Sequence, residues 1–146
     1  MRTGVCQTLT STTSGEVLRS AVSAAEEVRA LTERPGHDVG AHTVHHLMLP
    51  THPVDIQRRE LSKNRHTLER ITGRPVRAFA YPYGVCNLST IEMAETVGFT
   101  VAVSVTDDVV TPDADPLRLP RLEVMNQNQG TLGSKLDQLF ERPWWR

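Results

Sequence analysis

A chain of 146 residues with 38% hydrophobic and 23% charged residues has the length and composition of one globular domain, which argues against disorder throughout. Sixteen Lys and Arg against seventeen Asp and Glu leave a formal charge of −1, with no basic stripe to neutralise phosphates, so nucleic acid is a poor partner. No run approaches the roughly 18 consecutive apolar residues of a membrane span, and the N-terminal stretch lacks an apolar signal core. The chain as written is therefore expected in the cytoplasm.

Residues 1–20, rich in Ser, Thr and Gly, follow neither a period of two nor one of 3.6 and read as loop, which divides the chain into an N-terminal segment 1–22 and a domain over 23–146. Ala21 to Arg34 is built of good helix formers, with Ala24, Val28 and Leu31 at helical spacing, and Pro35-Gly36 stops it. His37 to Ala41 reads as a short strand leading into a histidine-rich loop. The spacing of Val54, Leu61, Leu68 and Ile71 predicts a helix from Val54 to Thr72 that Gly73 and Pro75 end, with charged residues on its other faces.

Val76 to Tyr81 then reads as a strand, Pro82-Tyr83-Gly84 as a turn, and Ser89-Thr90-Ile91-Glu92 as a capping box opening a helix that closes at Gly98. Phe99 to Val105 is the next strand, 107–117 a Pro- and Asp-rich loop, Leu119 to Val124 a short strand, and Thr131 to Glu141 a final amphipathic helix. This order implies an α/β fold with right-handed crossovers, either a mostly parallel sheet or a partial barrel. Cys6 and Cys86 are far apart and form no C-x-x-C pair, so both are expected as unpaired thiols.

His42-Thr43-Val44-His45-His46 follows directly on a predicted strand, where active-site loops of parallel α/β folds sit. If the loop makes one helical turn, His42 and His46 share a face with Cβ atoms about 5–6 Å apart, which would let two imidazoles hold one divalent ion. His45 would point elsewhere. A bare H-x-x-x-H spacing also suits a polar exposed loop, but a second segment, Phe79-Ala80-Tyr81-Pro82-Tyr83-Gly84, arrives one helix later at the end of the next strand.

Together with the lead-in Gly36 to Ala41, these two segments resemble the polysaccharide deacetylase family, also called the NodB homology domain or carbohydrate esterase family 4. The resemblance runs from about Glu27 to Val124. It implies a distorted (β/α) barrel, here a partial one lacking its first strands. It also implies a metal-dependent hydrolase that removes N- or O-acetyl groups from an N-acetylated oligo- or polysaccharide.

By the same resemblance His42 and His46 ligate a divalent metal such as zinc, with Thr43 at the family's Ser/Thr position. Tyr81, Pro82 and Tyr83 form a wall of the substrate groove, and the Tyr83 backbone N–H helps bind the oxyanion. Ala80 stands where many members carry Arg, and Arg121, in the stretch Leu117 to Val124, would supply that guanidinium. A surface salt bridge is the plain alternative for Arg121, and core or turn packing for Tyr81 and Tyr83.

The chain departs from the family in two places. It has no T-F-D-D motif, the source of the third metal ligand and the catalytic base, and Asp38 corresponds to a non-catalytic acidic position. Its last histidine is His66, although the family's late motif carries a histidine that acts as general acid. Loss of a base alone costs on the order of 10²–10⁴ in rate, so little activity is expected of this chain by itself.

Residues 1–22 would stand in place of the first strands, and the uncovered sheet edge would favour self-association. The competing expectation is an inactive remnant that binds carbohydrate or a protein partner. A structural zinc site using Cys6 and Cys86 is opposed by their spacing.

Overall fold

The computed structural model describes residues 24–124 and 129–141. The segment 1–22 with its boundary, the first residues of the helix expected from Ala21, and Cys6 lie outside the described residues. The chain divides into two compact units, Met1–Asp38 and Val39–Arg146. In the first, helix α1 covers residues 24–32, and the Arg34 N–H then donates to the Leu31 carbonyl as the chain turns through Gly36 at φ 77°.

The second unit is a sequentially ordered parallel sheet with helices in its crossovers. Strand β1 (Ala78–Ala80) pairs in parallel with β2 (Val101–Val103), Ala41 bridges to Phe79 on one side, and Leu119 bridges to Val103 on the other, both in parallel. Helix α2 (Val54–Thr72) joins Ala41 to β1 and α3 (Leu88–Val97) joins β1 to β2. This order matches the barrel-like α/β architecture expected. The expected strands 37–41 and 119–124 shrink to single bridges, because only Ala41 and Leu119 find a ladder partner among the described residues.

The boundaries of α2 follow from its caps. Pro53 precedes it, and Gly73 ends it at φ 68° with its N–H on the Glu69 carbonyl, a left-handed stop that a residue without Cβ adopts cheaply. Its buried stripe is narrower than the heptad suggested. Leu61 is fully buried and Leu68 packs on the core, but Val54 is 50% exposed because it sits in the first turn, clear of the sheet. Helix α3 starts at Asn87 instead of in the expected capping box. Asn87 Oδ1 accepts from both the Thr90 N–H (2.9 Å) and the Thr90 hydroxyl (2.7 Å), and a helix takes whichever cap satisfies its orphan donors.

Alternation along the strands separates two faces. Phe79 and Ala102 join Leu61, Met93, Ala94 and Phe99 in one core, with Phe79 stacked on Phe99 at 5.1 Å between centroids. Each such fully buried large side chain contributes about 1.5–3 kcal/mol. Arg65 ties α2 to the end of α3 by donating to the Val97 carbonyl and to Glu69, while its guanidinium lies over the Phe99 ring. Gly98, at φ 96°, leaves room for that arginine, since a Cβ there would collide with it. The expected final helix is α4 (Gln129–Phe140), and Cys86 is unpaired.

Candidate active site

Parallel strands deliver whatever follows them to the same edge of the sheet. Here His42 follows Ala41, Tyr81 to Gly84 follow β1, Val105 follows β2 and Arg121 follows Leu119. His42, His46, Tyr83, Val105, Arg121 and Glu123 accordingly line one cleft of about 420 Å³.

The histidine loop is not the single helical turn considered from spacing. Thr43 and His46 take φ of 65° and 55°, outside the right-handed helical region, and the loop is a bend. Its two imidazoles meet all the same, with ring centroids 4.7 Å apart, and His46 packs against the Tyr83 ring at 4.6 Å. Glu60 of α2 holds the bend. Its Oε2 accepts from the backbone N–H groups of Val44 (3.0 Å) and His45 (2.8 Å), and its Oε1 lies 2.6 Å from His45 Nδ1.

Burial opposes ionisation of the Glu60 carboxyl. The hydrogen bonds from the His45 ring and from the two backbone N–H groups outweigh it and hold its pKa below the ordinary carboxylate value. The sequence showed Glu60 only as one charge on a helix face, and its partners lie some fifteen residues away along the chain. Asn64, one turn further along α2, accepts the His42 backbone N–H at 2.9 Å.

His42 Nδ1 lies 2.7 Å from the Ala80 carbonyl oxygen. A carbonyl only accepts, so Nδ1 carries a proton; this orients the ring and fixes Nε2 as the nitrogen that would face a metal. Two imidazoles at this separation, one with its ring oriented, fit a divalent ion as half of its ligand set. Among the described residues, no group of three or more His, Cys, Asp and Glu is arranged to hold one. Glu123 lines the cleft without completing such a group. The Thr43 hydroxyl is buried beside this pair with no hydrogen-bond partner among the described residues, a cost of about 1–3 kcal/mol if it stays unpaired.

The tyrosine motif splits across two environments. Tyr81 is fully buried: its ring meets Phe79 edge-on and its hydroxyl donates to the Leu117 carbonyl at 2.9 Å. Burial, with smaller contributions from Cys86 and Asp115, pushes its phenol pKa well up. Pro82 is buried as well. Tyr83 is 59% exposed, at φ 59°, and among the described residues no backbone carbonyl takes its N–H. Gly84 is required behind it, since it sits at φ 67° and a Cβ there would overlap the Val105 side chain. Arg121 is exposed on the opposite wall, its N–H on the Thr106 carbonyl at 3.0 Å.

The sequence pattern that defines the polysaccharide deacetylases matches residues 9–102, more than half of the chain. The chain belongs to the polysaccharide deacetylase family. The match begins ahead of Glu27, where the motif resemblance started.

The chain is 34% identical over 83 residues to the poly-β-1,6-N-acetyl-D-glucosamine N-deacetylase of Staphylococcus epidermidis, covering 57% of this chain and 29% of that protein. It therefore spans under a third of this relative. Its fold is similar to that of IcaB from Ammonifex degensii, with a TM-score of 0.68 at 21% identity over 76% of this chain and 52% of that one. It is also similar to a mutant of a family 4 pseudoenzyme, with a TM-score of 0.55 at 19% identity over 86% and 50% of the two chains. A fold shared with a pseudoenzyme says nothing about activity, which has to be argued from the site. No helix among the described residues is long and apolar enough to cross a membrane.

Proposed function

We propose that Val39 to Val124 builds the histidine and oxyanion side of a site that hydrolyses the acetamide of an N-acetylated glycan. The observation that carries this is the meeting of the His42–His46 pair with the Tyr83 turn in one cleft of a polysaccharide deacetylase fold. The relative from Staphylococcus epidermidis suggests a β-1,6-linked N-acetylglucosamine polymer as the substrate.

In the reaction, water adds to the acetamide carbon, the C–N bond breaks, and acetate leaves as a proton passes to the amine. A zinc-type ion held by His42 and His46 would polarise the carbonyl and lower the pKa of bound water to about 7. The chain's own contributions are geometric and electrostatic. The Tyr83 N–H donates to the carbonyl oxygen as negative charge develops on it, and a missing donor of this kind costs on the order of 10²–10³ in rate. Arg121 brings a fixed positive charge to the facing wall. The Ala80 carbonyl and Asn64 hold His42, and Glu60 holds the bend between the histidines.

No third ligand joins the two histidines among the described residues, and the sequence carries neither the family's T-F-D-D motif nor a histidine after His66. That favours a second reading for this chain by itself, a cleft that holds the glycan without turning it over. Acetate release from β-1,6-linked N-acetylglucosamine oligomers, assayed with added zinc, decides between them. Release that disappears in His42→Ala supports the hydrolase; saturable oligomer binding with no acetate supports the binding module. The Ala41 edge, which no further strand covers among the described residues, is where a second copy would add, and dimer formation in sedimentation would reveal it.

A further inference from the structure

Beyond the Tyr83–Gly84 turn lies a second cleft of about 450 Å³, within the roughly 300–1,000 Å³ range of ligand sites. It meets the histidine cleft at Gly84, which lines both, so the two form neighbouring stations along one edge of the sheet. Its polar lining is the set Ser104, Thr106, Thr111, Asp108, Asp115 and Arg118. None of these belongs to the histidine cleft, and none has a part in the chemistry above.

The lining is organised. Asp108 Oδ1 accepts the Val109 N–H at 2.9 Å and Asp115 Oδ1 accepts the Leu117 N–H at 2.8 Å, so each carboxylate is pinned by its own loop while Oδ2 remains an acceptor. Ser104 is 3% exposed, and its hydroxyl is fixed by Thr106 and the Leu119 carbonyl, both at 3.2 Å. Burial raises the pKa of the Cys86 thiol in the same wall. Arg118 opposes that shift and Asp115 adds to it, and all three side chains line the one cleft.

A ligand for this cleft has to donate hydrogen bonds to carboxylates and accept them from a guanidinium within one small volume. Two carboxylates to one arginine disfavour an anion, and the density of polar groups disfavours an apolar ligand. A sugar ring, whose hydroxyls both donate and accept, meets these demands.

We infer that the cleft lined by Asp108, Asp115 and Arg118 binds the hexosamine unit adjacent to the one whose acetamide faces His42 and His46. The inference rests on the deacetylase reading and adds to it: the chain recognises at least two consecutive units of the glycan, the second through residues that take no part in hydrolysis.

The test is titration of the full chain, observed by amide NMR, with N-acetylglucosamine and with its β-1,6-linked dimer and tetramer. Affinity is expected to rise about tenfold from monomer to tetramer, in line with one or two hydrogen bonds to charged groups. Arg118→Ala and Asp108→Asn should each remove most of that gain while the monomer still shifts the Tyr83 amide, with melting curves to show that both variants fold. A length gain that survives in both folded variants overturns the inference, as does the absence of any gain when the monomer still shifts the Tyr83 and Gly84 amides. If neither monomer nor tetramer binds the unaltered chain, the deacetylase reading fails and the second subsite falls with it.

Discussion

On one side of the cleft, the bend from His42 to His46 is held by side chains of α2. Glu60 takes two backbone N–H groups and a ring nitrogen, Asn64 takes the His42 N–H, and the Ala80 carbonyl takes the His42 ring. On the other side, Arg121 to Val124 hang from a backbone bond to Thr106 and a 3.3 Å bond from the Glu123 N–H to Asp107, whose other oxygen pairs with Lys135 of α4 at 2.7 Å. The first wall is set by a rigid helix and the second by loop contacts. Metal ligation tolerates errors of only about 0.2 Å, whereas a polymer groove has to adjust to its ligand. Under the proposed function, the rigid wall is the one suited to a metal and the loop-held wall the one suited to the glycan.

Removing Glu60 should break the contrast most severely. Glu60→Ala strands two backbone donors, so unfolding should become easier by about 2–4 kcal/mol, with zinc affinity down by about 10–100-fold. The same residue gives the contrast a pH signature. A carboxyl whose folded pKa is lowered contributes its full stability above the ordinary value of 4.5, and loses it as pH falls through the lower folded value. The melting-temperature difference between the native chain and Glu60→Gln should thus be largest near neutral pH and shrink in acid.

Gly84→Ala comes next, at about 1–3 kcal/mol in denaturant melts, because it joins a left-handed backbone to an overlap with Val105. Asn87→Ala, away from both walls, should cost about 1 kcal/mol through the lost cap and leave zinc binding untouched. Arg121→Ala should be the smallest in stability, within about 0.5 kcal/mol, while weakening oligomer binding in the NMR titration. If it instead lowered zinc affinity as much as Glu60→Ala does, the division between the walls would be wrong.

Much of the scaffold could be read from local signals. The limits of α2 followed from its apolar spacing and from Gly73, and the parallel order followed from helices alternating with strand-like runs. What escaped was set by contacts distant in sequence. Glu60 looked like any helix-surface charge until the loop folded onto it. The start of α3 at Asn87, in place of the capping box expected at Ser89 to Glu92, is set by the hydrogen bond from the Thr90 N–H. In Tyr81 and Tyr83, one motif places two similar residues on opposite sides of the backbone, one in the core and one in the cleft. Alternation of an extended chain would put residues two apart on one face, and it is the turn at Pro82–Gly84, with Tyr83 at φ 59°, that separates them.

The central claim is that His42 and His46 together hold a metal ion. Zinc titration of the purified chain by calorimetry, repeated on His42→Ala, His46→Ala and the remote control His66→Ala, tests it most directly. The account predicts a zinc-binding event that is lost in the first two variants and kept in the third, with melting temperatures close to that of the native chain. Zinc binding that persists unchanged in both His42→Ala and His46→Ala, or no zinc binding by the native chain, would contradict it.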